Sequence, residues 1–116
     1  MQKANTNATV RMASNTVGLI EIKGEVNAFS EETLAVAYNE ANKPGVTTIV
    51  LDFSGLEYMN SSGIGLLVML LIRAQRQKQK MIAIGLTSHY KQIFELTRLN
   101  EAFGIYDTEA QALAAA

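Results

Sequence analysis

The segment TTIVLDF, Thr47 to Phe53, constrains the fold of this chain more than any other part of the sequence. Its apolar residues follow one another almost without interruption. A strand that is covered on one face alternates apolar and polar residues, whereas a strand covered on both faces is apolar nearly throughout. The segment therefore predicts a central strand with other elements packed on both faces of its sheet.

Strand and helix patterns alternate on either side of this segment. Two β-rich stretches around Val10 and Ile20 precede it, and the short turn between them predicts antiparallel pairing. Ser30 is predicted to cap a helix that ends at Pro44-Gly45. The later elements are a helix from Ser61 to about Gln79, a strand from Met81 to Leu86, a helix from Ser88 to about Leu99, a short strand from Gly104 to Tyr106, and a helix from Thr108 to Ala114.

This order of elements predicts the fold class. Strands that are joined by single helices pair in parallel through right-handed crossovers. We therefore expect an α/β domain with a mixed, mostly parallel sheet of four to five strands and about four helices. A chain of 116 residues has room for one such domain. Residues 1–8 are polar and predict a flexible N-terminal tail, which leaves residues 9–116 for the domain.

Charge and apolar runs exclude two classes of partner. Ten Lys and Arg residues against eleven Asp and Glu residues give a net charge of -1, which offers no basic face for nucleic acid. The basic tract Arg73, Arg76, Lys78 and Lys80 is assigned to a helix C-terminus, where cations complement the helix dipole. The N-terminus lacks a secretory signal, and the apolar run Ile64–Ile72 is far shorter than the roughly 20 residues of a membrane helix. We expect a soluble, cytoplasmic protein that binds neither nucleic acid nor a membrane.

Catalytic chemistry is poorly represented. The chain has no Cys and one His, His89, so we expect no metal site and no cofactor. Neither Ser61 nor Ser62 lies in the Gly-x-Ser-x-Gly frame of a hydrolase nucleophile, and no Walker-type glycine loop occurs. Asp52 lacks the acidic pair that a receiver domain uses for magnesium, and we interpret it as a brace for the following loop. The sequence therefore predicts a protein that docks to partners and not an enzyme.

One short segment offers residues that a partner or a modifying enzyme could use. It is the predicted start of a helix, Asn60-Ser61-Ser62-Gly63. The first N–H groups of a helix have no partner inside the helix and carry the positive end of its dipole. A serine hydroxyl there can cap the helix, and a phosphoryl group on the same hydroxyl would be received by these N–H groups. Residue type alone leaves both roles open. Gly63 and Gly65 have no side chain beyond Cα, so another molecule can approach the backbone of the first turn closely.

Two motifs resemble the signature of the STAS domain, and most closely that of the bacterial anti-sigma factor antagonists. The first is Val50-Leu51-Asp52-Phe53 followed by Tyr58-Met59-Asn60-Ser61-Ser62-Gly63-Ile64-Gly65, and the second is Gly24-Glu25-Val26-Asn27. The run Leu96–Asn100 in the late helix also agrees with the family. The resemblance extends from about Thr9 to Leu113 and implies a single STAS-like domain.

The resemblance implies an anti-sigma factor antagonist that acts in a partner switch. The unphosphorylated protein would bind an anti-sigma factor that is also a serine kinase, phosphorylation would release it, and a phosphatase would reset the cycle. The phosphorylated residue corresponds to Ser61, with Ser62 as the alternative. The predicted partner-binding residues are Glu25, Val26, Asn27, Phe29, Met59, Asn60, Ser61, Ser62, Gly63 and Ile64, and none of them is catalytic.

Two positions depart from the family pattern. Asn27 and Asn60 stand where kinase-regulated members usually carry Asp. An amide can still accept capping hydrogen bonds, but the two substitutions remove two negative charges near the expected docking face. They leave an alternative open, a STAS scaffold or accessory subunit of a signalling assembly or lipid transporter. Such a subunit docks its partners without a phosphorylation cycle.

Overall fold

The computed structural model of the protein describes residues 5–116. Its strands are β1 (Thr6–Ser14), β2 (Val17–Val26), β3 (Thr48–Met59), β4 (Lys80–Ile84) and β5 (Gly104–Tyr106). Its α-helices are α1 (Glu31–Ala41), α2 (Ser61–Arg76), α3 (Ser88–Leu96) and α4 (Glu109–Ala115), and short 3-10 helices span Ala28–Ser30 and Leu99–Glu101. The tail predicted for residues 1–8 is wrong from Thr6 onward, where β1 begins, and its first four residues lie outside the described part.

The strands form one sheet in the order β1-β2-β3-β4-β5. β1 is antiparallel to β2, and all other neighbours are parallel, which confirms the predicted mixed sheet. α1, α2 and α3 contribute to one apolar cluster and therefore lie on one face of the sheet, as crossovers of a single hand between consecutive parallel strands require. α4 covers part of the other face, beside a smaller apolar cluster that includes Val50 and Ala112.

The position of β3 at the centre of the sheet explains why TTIVLDF is almost continuously apolar. Val50 and Leu51 are adjacent and both fully buried, but they belong to different apolar clusters on opposite faces of the sheet. Leu51 lies in the larger cluster beneath α1, α2 and α3, together with Leu67 and Phe94. The prediction of a strand covered on both faces is confirmed.

β3 is longer than the sequence predicts, because it continues beyond Phe53 to Met59. Ser54-Gly55 is typical of a turn, but here the chain stays paired with β2, where Val26 lies opposite Met59. The register shifts twice, between Glu21 and Lys23 and between Gly24 and Glu25, and each shift gives β3 one residue more than β2. Asp52 Oδ1 accepts hydrogen bonds from Ser54 N–H at 2.9 Å and Ser54 Oγ at 2.6 Å, so it braces the extended strand and not a loop.

The fully buried Tyr38 joins α1 to the start of β4. Its hydroxyl donates to Gln79 Oε1 at 2.7 Å, and the Arg73 guanidinium lies 4.6 Å from the centre of its ring. Burial raises the pKa of the Tyr38 hydroxyl above its ordinary value, and the positive charge of Arg73 opposes that rise only in part. The folded state holds this proton more tightly than the unfolded state does. The contribution of Tyr38 to stability is therefore fully present below about pH 10 and is lost as pH rises through the folded pKa.

We therefore expect the Tyr38→Phe variant to lose about 1–2 kcal/mol of unfolding free energy near pH 7, because Gln79 Oε1 loses the donor that Tyr38 supplies. Above about pH 10 its stability should fall less steeply than that of the parent. Urea denaturation across the alkaline range measures both effects. Tyr58→Phe is the matched control, because Tyr58 is 54 % exposed. Equal alkaline slopes for the parent and Tyr38→Phe would contradict the prediction.

Candidate functional site

Helix α2 begins directly after β3, and Asn60 between them is its N-cap. Asn60 Oδ1 accepts a hydrogen bond from Gly63 N–H at 3.0 Å, and its carbonyl oxygen accepts one from Ile64 N–H at 3.0 Å. The N–H of Asn60 donates to the carbonyl of Val26, the last residue of β2, at 3.3 Å. The capping role that the sequence left open for a serine therefore belongs to Asn60.

Ser61 and Ser62 are the first two residues of α2, and both are exposed. Within residues 5–116, no hydrogen bond engages either hydroxyl or the backbone N–H of either residue. A phosphoryl group on Ser61 would lie beside these N–H groups, at the positive end of the helix dipole. The first turn of α2 can therefore receive a dianion without a change in its backbone.

Gly63 allows the first turn of α2 to lie against the end of β2. A Cβ atom at residue 63 would lie 2.9 Å from Met59 Cγ and closer still to the carbonyl oxygen of Val26. Met59 in turn donates its N–H to the buried hydroxyl of Tyr90 in α3 at 2.8 Å. The ends of β2 and β3 and the start of α3 therefore fix the position of Ser61.

The segment after β2 forms the other half of the site. Asn27 Oδ1 accepts a hydrogen bond from Phe29 N–H at 2.9 Å and caps the 3-10 helix Ala28–Ser30. The fully buried Ser30 hydroxyl accepts one from Asn27 N–H at 2.9 Å and lies 2.7 Å from Thr6 Oγ1 in β1. The prediction that the Ser30 side chain caps α1 is wrong, because the neighbouring β1 and the preceding turn engage that hydroxyl instead.

The two asparagines that depart from the family pattern thus have the same structural role. Asn27 and Asn60 each cap a helix through the Oδ1 atom, and both are half-buried. Aspartate would present an equivalent acceptor in either place, so the amide removes a charge while the local hydrogen bond remains. The departure therefore concerns the electrostatics of the surface and leaves the backbone of the site intact.

The predicted partner-binding residues divide into two groups. Those that reach the surface are Glu25, Asn27, Phe29, Asn60, Ser61, Ser62 and Ile64, and those that are buried are Val26, Met59 and Gly63. The buried three support the first turn of α2 and present no side chain to a partner. Phe29 is 59 % exposed, so most of its ring is accessible to another molecule.

Tyr58 was not among the predicted site residues, but it is 54 % exposed and lies opposite Glu25 of β2. β3 continues through Tyr58 and Met59, so their side chains point to opposite faces of the sheet, and Met59 is buried. The available signal was this period of two. The interpretation of the residues after Asp52 as a loop left this signal unused.

Features that would suggest other chemistry have structural explanations. Across residues 5–116, no three His, Cys, Asp or Glu side chains are grouped so that they could hold a metal ion. No helix in the same range is long and apolar enough to cross a membrane. His89 is exposed and meets the Tyr90 ring edge-on, with ring centres 4.9 Å apart. Arg73 of the basic tract is engaged with α1, where it donates to Asn39 at 2.7 Å.

Comparison with protein families matches residues 8–112 to the STAS domain. The chain belongs to the STAS domain family. A curated relative of this STAS domain is the putative anti-sigma factor antagonist BtrV of Bordetella bronchiseptica, which is 22 % identical over 94 residues. The match covers 81 % of each protein.

Several solved structures share the fold of this STAS domain. An anti-sigma factor antagonist from Mycobacterium paratuberculosis superimposes with a TM-score of 0.80 at 20 % identity, over 98 % of this chain and 97 % of that one. The phosphorylated form of the Bacillus cell fate determinant SpoIIAA gives 0.72 at 22 % identity, over 94 % and 98 %. A sulfate transporter family protein from Wolinella succinogenes gives 0.76 at 15 % identity, over 90 % and 88 %. Proteins with different named functions therefore share this fold.

Proposed function

We propose that this STAS domain is an anti-sigma factor antagonist that acts as a partner switch. The unphosphorylated form binds an anti-sigma factor that is also a serine kinase, and phosphorylation of Ser61 ends the binding. A phosphatase then removes the phosphoryl group and restores the binding form. The role places the protein in the cytoplasm with its partners, and it requires no catalytic group on this chain.

The observation that carries the proposal is the state of the Ser61 hydroxyl. It is exposed at the first position of α2, and the cap is supplied by Asn60, so no structural duty occupies it. A kinase needs a serine hydroxyl that is accessible and free to attack a phosphoryl group. Ser62 is equally exposed, and the match of Ser61 to the phosphorylated position of the family motif favours Ser61.

The neighbours of Ser61 suit a surface that is covered by a partner. We define the docking surface as Ser61 with Phe29, Tyr58 and Ile64. Phe29 and Tyr58 are both more than half exposed. The 3-10 helix that carries Phe29 packs against α2, which brings both halves of the site together. A phosphoryl group adds about -1.5 to -2 charges to this surface, and burying them against an apolar partner face carries a large desolvation cost.

The phosphoryl group would weaken docking without unfolding the domain. Its charge lies at the N-terminus of α2, where the helix dipole and the N–H groups of Ser61 and Ser62 stabilise an anion. The folded state therefore tolerates the modification, and the bound state does not. This difference is what a reversible switch requires.

A second candidate is a STAS scaffold or accessory subunit that docks partners without phosphorylation. The similarity to the sulfate transporter family protein and the uncharged Asn27 and Asn60 favour it. Under this function Ser61 would remain unmodified in the cell. Peptide mapping by mass spectrometry of protein from its own host, with and without phosphatase treatment, separates the two candidates.

We expect Ser61→Asp to weaken binding to the kinase of the same host at least about tenfold, because it places a negative charge on the docking surface. Its unfolding free energy should stay within about 0.5 kcal/mol of the parent, since an acid at this position complements the helix dipole. Titration calorimetry and urea denaturation measure the two quantities.

The matched controls use the neighbouring serine and the neutral variant. Ser61→Ala should retain binding and block phosphorylation, and Ser62→Asp should reduce binding less than Ser61→Asp does. Unchanged binding by Ser61→Asp, or phosphorylation that persists in Ser61→Ala, would overturn the assignment of Ser61.

A further inference from the structure

β1 is a long edge strand with little protection against pairing with another chain. Natural edge strands are commonly protected by Lys or Pro residues, bulges or very short length. Thr6–Met12 pairs regularly with β2, and the register shifts only after Met12. The one charged side chain in this segment, Arg11, is held by Glu109 and lies 3.6 Å from Glu21 across the sheet. The outer edge of Thr6–Met12 therefore presents a regular backbone without an opposing charge.

The hydrogen-bond pattern shows which backbone groups point outwards. Asn5 accepts a hydrogen bond from Glu25 N–H at 3.0 Å, so these two residues form a hydrogen-bonded pair of the antiparallel ladder. Hydrogen-bonded and non-hydrogen-bonded pairs alternate along such a ladder. The odd-numbered residues of Thr6–Met12 therefore bond to β2. The N–H and C=O groups of Ala8 and Val10 point away from the sheet.

We propose that β1 pairs antiparallel with β1 of a second copy of this chain, about a two-fold axis at Thr9. Thr9 is the midpoint of the regular segment Thr6–Met12. In this register Ala8 lies opposite Val10 of the second copy, and the two exchange the N–H and C=O groups that β2 leaves free. Two copies of the sheet would then form one continuous sheet.

The two faces of β1 are compatible with this symmetry. A two-fold axis perpendicular to the sheet keeps each face continuous from one copy to the next. Ala8 and Val10 are half-buried on the face of α1, so apolar side chains meet apolar side chains there. On the opposite face Thr9 meets its own copy, and a cross-strand Thr–Thr pair is favourable.

Helix α1 supplies an independent reason for a second copy of the chain. α1 lies over β1. The side of α1 that faces α2 includes Ala35, which lines a groove together with α2, and Asn39, which accepts a hydrogen bond from Arg73. At about 100° per residue, Val36 is turned away from α2 and towards the β1 edge, and it is 50 % exposed. The two-fold axis brings α1 of each copy to the same side of the sheet, so the two Val36 side chains approach each other. An extended peptide on the same edge would leave them uncovered.

Charges on α1 set the expected strength of the association. Glu32 and Glu40 lie one turn before and one turn after Val36, and both are exposed. Two α1 helices that approach across the axis bring these like charges together, which opposes pairing. We therefore expect a weak dimer that is tightened by added salt, because salt screens exposed charges over about 8 Å at physiological ionic strength.

Sedimentation velocity over a roughly hundredfold range of protein concentration tests the dimer. The parent protein should shift from monomer to dimer, and more completely at high salt. Ala8→Pro removes an N–H that does not bond to β2, and proline is tolerated at such edge positions. It should weaken association at least about tenfold, since each copy loses one donor, whereas Ala8→Ser should leave it unchanged. A parent that stays monomeric, or Ala8→Pro that associates as well as Ala8→Ser, would overturn the proposal.

Cross-linking tests the register even if Ala8→Pro fails to fold. The chain contains no Cys, so a single introduced thiol reports on one position. Thr9→Cys should form a covalent dimer on mild oxidation, because directly opposite residues of a non-hydrogen-bonded pair have Cβ atoms about 4.5–5.5 Å apart. Asn15→Cys, in the exposed turn after β1, should remain monomeric. Equal cross-linking of both variants would exclude a specific edge pair at Thr9.

Discussion

We expect Gly63→Ala to lower the unfolding free energy by about 2–3 kcal/mol and to weaken partner binding. The added Cβ would overlap the carbonyl oxygen of Val26 and lie 2.9 Å from Met59 Cγ. The first contact is with backbone, which cannot turn aside as a flexible side chain can. To relieve the overlap, the first turn of α2 must move away from the end of β2. Ser61 would move with it.

Gly65 provides a matched control in the same helix, two residues away. A Cβ atom at residue 65 would meet nothing within 4 Å, and the residue is exposed. Gly65→Ala should therefore raise stability by about 0.5–1 kcal/mol, because alanine favours the helix more than glycine does. Urea denaturation of both variants should give changes of opposite sign. A Gly63→Ala variant as stable as the parent would show that α2 is not held against β2 as described.

The second large effect is expected from Phe94→Ala, at about 3–5 kcal/mol of unfolding free energy. Phe94 is fully buried in α3 and contacts Phe53 and Phe103, with ring centres 6.4 Å and 5.5 Å away. Truncation removes both aromatic contacts and leaves a cavity beneath the helices. Since small domains are stable by only about 5–15 kcal/mol, much of the stability of this one depends on that ring.

Phe29→Ala is the control, because it removes the same side chain from the surface. Phe29 is 59 % exposed, so its loss should change stability by less than about 0.5 kcal/mol. Binding of the partner should nevertheless fall at least about tenfold if Phe29 anchors the docking surface. Denaturation and binding measured on both variants separate the two roles. Full binding by Phe29→Ala would remove that residue from the docking surface.

The sequence was most informative where local pattern and tertiary environment agree. The nearly continuous apolar run in Thr47–Phe53 predicts a strand between two layers, and Val50 and Leu51 are indeed buried on opposite faces. Single helices between strands required parallel neighbours, as the sheet confirms. The family motifs located the opening of α2, where Ser61 is exposed.

Errors arose where a contact distant in sequence overrides the local preference. Ser54-Gly55 is typical of a turn, but pairing with β2 keeps β3 extended to Met59 and turns Tyr58 to the surface. Ser30 is a good N-cap by residue type, but its hydroxyl is engaged by Thr6, 24 positions earlier. The predicted tail likewise ended too late, because Thr6 and the residues after it find hydrogen-bonding partners in β2.

The sequence by itself therefore determined the class of the fold, the order of its elements and the position of the serine pair. These depend on periodicity and on motifs, which are local properties of the chain. Only the tertiary structure decided which residue caps α2, and which apolar residues of the site are exposed. Those outcomes depend on how β2, β3 and α3 meet around the first turn of α2. The Asn60 cap frees the Ser61 hydroxyl, and the close approach at Gly63 fixes where that hydroxyl lies.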